Sequence, residues 1–294
     1  MRRGSCLIAG FMGLVVVAGS CFAADDEPTG RSFLWQLRSQ HRSVYLLGSI
    51  HFMKPGSSPF SQAVEDAFER AGVVVFEADL GDLGAAAVGM LSAGSLADGT
   101  ALDQVVPESL YLELVKRLDA LGMTAADVSS MKPWMVALSL TSLELVRAGY
   151  LGDQGIDATL YERAGTAGKE RRGLETAEFQ VSLFAGLSDE ESLEFLRYTL
   201  DELDSVIPMV DDIVEAWRAG DADRLEALLK EGFDEHRDLY RRFVTDRNQA
   251  WLPQIEALLN GDADAIVVVG SLHLVGAEGL IAMLRAKGYR VTQL

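Results

Sequence analysis

The sequence predicts an α/β fold of the α+β kind: a central, mostly parallel sheet built from two pseudo-symmetric β-α-β units at the chain ends, with a large helical region between them. Three observations carry this. Short continuous apolar runs at both ends have strand length and are followed by helical stretches, the pattern of a parallel sheet covered on both faces. The succession strand, Gly-Ser-X-His, helix, strand occurs twice, once from Val44 and once from Ala265. The middle of the chain carries helix-start signals and apolar stripes, with one strand-like interruption.

In chain order, Arg2 and Arg3 precede an apolar run from Cys6 to Val17 and small residues reaching Ala23 and Ala24, the layout of a secretory signal peptide. Ala18 stands where lipobox sequences usually carry Leu or Val, so cleavage near Ala23 is expected over lipid anchoring at Cys21. The remainder, 24–294, reads as a single domain with helical insertions over roughly 100–165 and 188–260. Ser32 to Arg38 and Val44 to Ser49 read as strands joined by a turn over Ser39 to Ser43, hence a hairpin. Ser58 and Pro59 mark a helix start, the helix running to about Ala71, and Val73 to Phe76 follows as a buried strand. Gly81 to Gly99, rich in Gly and Ala, reads as the flexible segment.

Pro107 opens a helix with Leu110, Leu114, Leu118 and Leu121 on one face, and Pro133 opens a more apolar one reaching Ala148. Lys169 to Leu174 is the interrupting strand, directly before Glu175. Ser188 with Glu191 forms a capping box for a helix to about Val206, and Pro208 begins another. At the C-terminal end, Ala265 to Val269 is a strand, Glu278 to Lys287 a helix and Tyr289 to Gln293 a strand.

Both cysteines, Cys6 and Cys21, leave with the signal segment, so no disulfide is available and the core alone must stabilise the mature chain. The full chain has 26 basic and 44 acidic side chains; without Arg2 and Arg3 the balance is 24 against 44, a formal charge of −20. That acidity argues against nucleic acid as a partner and favours solubility. No later apolar run spans a bilayer; the best, Trp134 to Val146, is short and carries Glu144. The sequence does not fix the oligomeric state, which leaves a homo-oligomer open.

Four expected strands finish with a side chain capable of metal or proton chemistry: His51, Glu77, Glu175 and His273. Ligands of open parallel sheets bind outside the carboxyl ends of the strands, which lie ~5 Å apart, so residues distant in sequence converge there. Two imidazoles with one or two carboxylates suit zinc, manganese or cobalt and leave a position for water, a strong nucleophile once metal-bound. Gly48 and Gly270 permit tight turns at the strand ends, and Ser49 and Ser271 are placed to orient a ligand or contact a substrate. Glu77 follows four apolar residues, where a buried carboxylate needs a partner; Glu175 reads as general base or substrate contact. The other two histidines, His41 in a polar turn and His236 in a charged helix, read as solvated bystanders.

These residues resemble the TraB/GumN family, which includes the animal Tiki proteins. The likeness rests on Tyr45-Leu-Leu-Gly-Ser-Ile-His51, Val75-Phe-Glu77, Gly155-Ile-Asp157, Gly173-Leu-Glu-Thr-Ala-Glu-Phe-Gln180, Arg247-Asn248 and Val269-Gly-Ser-Leu-His273, in that order over nearly the whole mature chain. The resemblance implies a metalloprotease-like fold, with Tiki members described as manganese- or cobalt-dependent peptidases. It implies His51, His273 and Glu77 as metal ligands, with Asp157, Glu175, Gln180, Arg247 and Asn248 lining the cleft. Arg247 suits a carboxylate clamp or a developing oxyanion. The helical zinc signature His-Glu-X-X-His is absent, so the ligands do not come from one helix turn.

The expected function is therefore an exported, metal-dependent hydrolase acting on a peptide or protein substrate, in the periplasm or outside the cell. A non-enzymatic protein binding haem, a metal or a peptide in the same cleft, and a metal-dependent esterase, are the alternatives. A serine triad is disfavoured because no Gly-X-Ser-X-Gly elbow occurs.

Overall fold

The computed structural model describes residues 31–294 except 40–41, 57–59, 80, 82, 231–232 and 234–235. The expected signal segment 1–23, His41, and the helix start expected at Ser58 and Pro59 lie outside the described residues.

Six strands form one sheet: β1 (Leu34–Arg38), β2 (Ser43–Ser49), β3 (Val73–Ala78), β4 (Glu170–Glu175), β5 (Ala265–Gly270) and β6 (Val291–Gln293), in the order β4-β3-β5-β2-β1-β6. The neighbours β4, β3, β5 and β2 run parallel, while β1 closes the expected hairpin antiparallel to β2 and pairs antiparallel with β6. The parallel strands in the middle read as continuous apolar runs because both their faces are covered: every residue from Ala265 to Val269 is at most 1% exposed.

The penultimate strand of the sequence, β5, inserts between β2 and β3 in the middle of the sheet. Its register with β2 sets Gly48 opposite Val269 and Ser49 opposite Gly270, so the two Gly-Ser-X-His segments leave adjacent strands one residue out of step. The two end units are less alike than their shared grammar suggests. The first returns across one strand to β3, whereas the second returns across β2 and β1 to β6. The hairpin is the reason: β1 already occupies the edge beside β2, so the last strand pairs only on its far side.

Helices fill the crossovers β3 to β4 and β4 to β5. Helix Glu108–Ala120 follows Pro107 and buries Leu110, Leu114 and Leu118; helix Pro133–Arg147 starts on its proline. Ser188 and Glu191 form the expected capping box, but the helix ends at Glu202, where a 3-10 turn separates it from helix Val206–Arg218. Helix Gln62–Arg70 is capped by Ser61, whose side chain accepts from the Val64 amide at 3.3 Å. Gly81 to Gly99, expected to be flexible, instead contains helix Leu83–Ala93, packed against helix Ala177–Ala185. Its Ala, Leu and Met content outweighs the scattered glycines. His236 does not sit inside a helix; it caps helix Arg237–Tyr240, half-buried, with its ring edge-on to Tyr198 at 6.1 Å. Among the described residues no helix is long and apolar enough to cross a membrane.

Candidate metal and catalytic site

Four neighbouring parallel strands deliver their carboxyl ends to one place. His51 lies two residues past β2, Glu77 is in the last turn of pleat of β3, Glu175 ends β4, and Gly270 ends β5 just before the 3-10 turn Ser271–His273. Gly270 is the floor of the cluster. A Cβ added there would lie 3.2 Å from Glu77 Oε1, 3.6 Å from His51 Nε2 and 3.6 Å from His273 Cδ2. Its amide donates to Glu77 Oε1 at 2.7 Å, which fixes that carboxylate against the strand end. The glycine is thus required for close approach of three functional groups rather than for an unusual backbone angle, its φ being −49°.

Each imidazole is held by its outer nitrogen. His51 Nδ1 donates to Asp157 Oδ2 at 3.0 Å. Asp157 sits in the first turn of helix Ile156–Thr166, and the cap of that helix, Gly155, is pressed so close that a Cβ would fall 2.3 Å from the His51 carbonyl. The Gly-Ile-Asp segment therefore positions its acid through the absence of a side chain two residues earlier. His273 Nδ1 donates to Asn248 Oδ1 at 2.8 Å; Asn248 Nδ2 donates to the carbonyls of His273 and Glu278 at 3.2 and 2.9 Å, which obliges its oxygen to face the ring. Each ring keeps a proton on Nδ1, and Nε2 of each points to the cradle.

Arg247, in helix Asp246–Leu258, is 7% exposed and fills the space between the acids. Its Nη2 donates to Glu77 Oε2 at 2.6 Å and also to Glu175 Oε1, its Nε donates to Glu175 Oε2 at 3.2 Å, and its Nη1 donates to His273 Nε2 at 3.1 Å and to the Phe243 carbonyl at 3.2 Å. Trp251 lies one helical turn on, under the guanidinium at 4.6 Å, and donates to Glu175 Oε2 at 3.0 Å. Gln180 donates to Glu175 Oε1 at 3.1 Å and to Glu77 Oε2 at 3.4 Å. A π-helical turn, Arg241–Thr245, immediately precedes this helix.

The electrostatics follow from these contacts. Burial opposes the charged form of His51, and the Asp157 and Glu77 carboxylates outweigh it, raising its pKa to about 9. Burial and then the Arg247 charge drive His273 down to about 3, so this ring is neutral. Burial works against ionisation of Glu77, but Arg247 and the two histidines hold its carboxyl well below the usual range. Burial pushes Glu175 upward, with Glu77 adding to it and Arg247 opposing.

A cavity of about 170 Å³ opens on this cluster, lined by His51, Glu77, Gln180, Arg247 and His273 together with Ser49 and Ser271. Ser271 is committed to the backbone: its hydroxyl donates to the Ser49 carbonyl at 2.9 Å and so ties the two Gly-Ser-X-His segments together. Ser49 Oγ and Asp157 Oδ1 are buried without a hydrogen-bond partner among the described residues. Glu175 and Asn248 do not line the cavity. Glu175 bonds Arg247 on the side away from the cavity, and Asn248 bonds His273.

The donor chemistry, two imidazole Nε2 atoms and a carboxylate around one cradle with both outer nitrogens anchored, fits a divalent transition metal. Among the described residues, however, no three His, Cys, Asp or Glu side chains stand in ready-made ligand geometry. Arg247 explains this, because it is bonded to His273 Nε2 and Glu77 at once. Sequence reasoning missed Trp251 and the apolar part of the cavity. The burial of Arg247, Trp251 and Ile255 at four-residue spacing is the signal that would have found the tryptophan.

The model of the TraB/PrgY/gumN family matches residues 33–293. The chain is similar to an uncharacterized protein of Treponema pallidum (strain Nichols), 22% identical over 271 residues that cover 86% of this chain and 80% of the relative. No solved structure matches it. The matched span runs from the residue before β1 to the end of β6 and contains every member of the cluster, so this chain belongs to the TraB/PrgY/gumN family.

Proposed function

We propose that this chain is an exported hydrolase that cleaves an amide bond, using a divalent ion such as manganese, cobalt or zinc held by His51, His273 and Glu77. The observation that carries the reading is the convergence of both imidazoles and the Glu77 carboxylate on the Gly270 cradle, with Asp157 and Asn248 anchoring the outer ring nitrogens. Charge supports it. Three carboxylates (Glu77, Asp157, Glu175) face the Arg247 guanidinium and a protonated His51, a formal balance of −1; once His51 gives up its proton the balance is −2, which a divalent ion would neutralise.

When bound, such an ion polarises a carbonyl and lowers the pKa of water toward 7. The chain's own residues supply the rest. Arg247 is placed on the cavity wall to stabilise an oxyanion as it develops, and Glu175, Gln180 and Trp251 keep its planar fork in position. Asp157 keeps the proton of His51 on Nδ1, and Asn248 does the same for His273. Ion capture and the Arg247 bond compete for one lone pair on His273 Nε2.

Elemental analysis of the purified protein, reconstitution with manganese, cobalt and zinc, and peptide cleavage before and after chelation test the reading. His51→Ala should abolish both occupancy and turnover; full occupancy in that variant would overturn the ligand assignment. Fractionation of expressing cells tests export. The second reading is a non-enzymatic binder of haem or peptide, favoured by the engagement of His273 Nε2 with Arg247, a bond that holds this ring away from a metal ion. A Soret shift on haem titration, lost on changing either histidine, would support it. An esterase would use the same groups on an ester bond.

A further inference from the structure

Beyond its polar end, the cavity wall is made of Met90, Met135, Leu138, Val210, Ile213 and Phe243, among other apolar side chains. The hydroxyl protons on that wall are largely spent on the protein's own helices: Ser139 donates to the Met135 carbonyl at 2.8 Å and Thr141 to the Ala137 carbonyl at 3.0 Å. An extended peptide brings one N–H and one C=O per residue, and each buried without a partner is costly. A hydrocarbon brings none. The volume, about 170 Å³, is close to the ~150 Å³ of an apolar cavity known to admit benzene, which sets the guest at about six carbons.

Two helices that wall the cavity are apolar on both sides. Met90 of helix Leu83–Ala93 and Val181 of helix Ala177–Ala185 face it, while Val88, Leu91 and Phe179 on the same helices are 68%, 57% and 44% exposed.

We propose, resting on the hydrolase reading above, that the acyl side of the scissile amide is an aliphatic chain of about six carbons rather than a peptide. The chain occupies the apolar wall and its carbonyl lies at Arg247, His51 and Glu77. Water oxygen bonds to the acyl carbon as the carbon–nitrogen bond breaks, and the proton goes to the leaving nitrogen; the products are an aliphatic carboxylic acid and an amine.

Binding of butanamide, pentanamide, hexanamide and octanamide to the metal-free full-length protein, followed by ligand-observed NMR, tests this apart from catalysis. Affinity should rise about fourfold per methylene up to hexanamide and level off by octanamide. Ser139→Phe, which puts bulk into the apolar wall, should flatten the series. A flat series in the unmutated protein overturns the proposal, and that measurement decides alone if the variant does not fold. Tighter binding of N-acetyl-Leu-Leu-amide than of hexanamide overturns it in favour of a peptide. Failure of the metal-loaded protein to hydrolyse any amide would remove the enzyme reading while leaving this series as it stands.

Discussion

Arg247 Nη1 lies 3.1 Å from His273 Nε2, on the lone pair that the Asn248 contact at the other ring nitrogen leaves free. One guanidinium thus joins a neutral imidazole to two buried carboxylates, and three strand ends are linked through a single side chain. It supplies the cation between the two carboxylates, and an ion bound as proposed would have to displace it from His273.

Arg247→Met should therefore lower the stability of the metal-free protein by about 3–5 kcal/mol, because Glu77 and Glu175 would remain buried without their cation. A divalent ion should restore more stability to this variant than to the parent, since the competitor for His273 is gone. Denaturant melts with and without cobalt measure both. A metal-free variant as stable as the parent would show that the ion cluster contributes nothing net.

The two imidazoles give the metal-free protein opposite pH limbs. His51, raised to about 9 in the fold, contributes fully below its unfolded value near 6.5, and the contribution is lost as pH rises to about 9. His273, depressed to about 3, contributes fully above 6.5, and the contribution is lost as pH falls toward 3. The stability owed to these rings peaks near pH 6.5 and declines on either side by about 1.4 kcal/mol per pH unit. In His51→Asn the alkaline limb should vanish and the acid limb persist; an unchanged alkaline limb would sink the role given to Asp157.

The strand ends were legible because continuous apolar runs announce buried strands, and a polar residue closing such a run has no packing reason to be there. His51, Glu77, Glu175 and His273 were found that way. The insertion of β5 between β2 and β3 was not, since non-local pairing leaves no local mark. Arg247 and Asn248 were reached only through resemblance: a helical Arg next to an Asn looks the same on a solvated face. The division of labour among the acids was hidden for a related reason. Whether Glu175 touches the cavity or stands behind Arg247 depends on side-chain direction at a strand end, and Met90, Leu138 and Val210 on the cavity wall are indistinguishable in sequence from residues of the solid core.

Asp157→Asn separates orientation from charge. It keeps a side chain able to accept from His51 Nδ1 but removes the carboxylate that favours the His51 proton. Because that proton must leave for Nε2 to bind an ion, metal affinity in the parent should climb with pH up to about 9 and then level off. In the variant the climb should end at lower pH, with the plateau about 10–100-fold weaker from the loss of the anchoring acid. Titrations with cobalt across pH 6–10 read both, and an unshifted climb would mean that another group gates binding.

Gly270→Ala tests the cradle itself. The backbone at Gly270 is ordinary, with φ −49°, so alanine adds no strain of its own there. The new methyl would meet Glu77 Oε1 at 3.2 Å and stand 3.6 Å from His51 Nε2, in the space the three groups share. The carboxylate has to give by a few tenths of an ångström, and its 2.7 Å bond from the Gly270 amide weakens. The expected cost in stability is about 1 kcal/mol, in the range of one hydrogen bond. Metal occupancy should fall far more steeply, because the methyl occupies the point where the donors converge. Equal losses in a thermal melt and in cobalt binding would instead mean that the substitution disturbs the strand end as a whole and that the cradle is not where the ion sits.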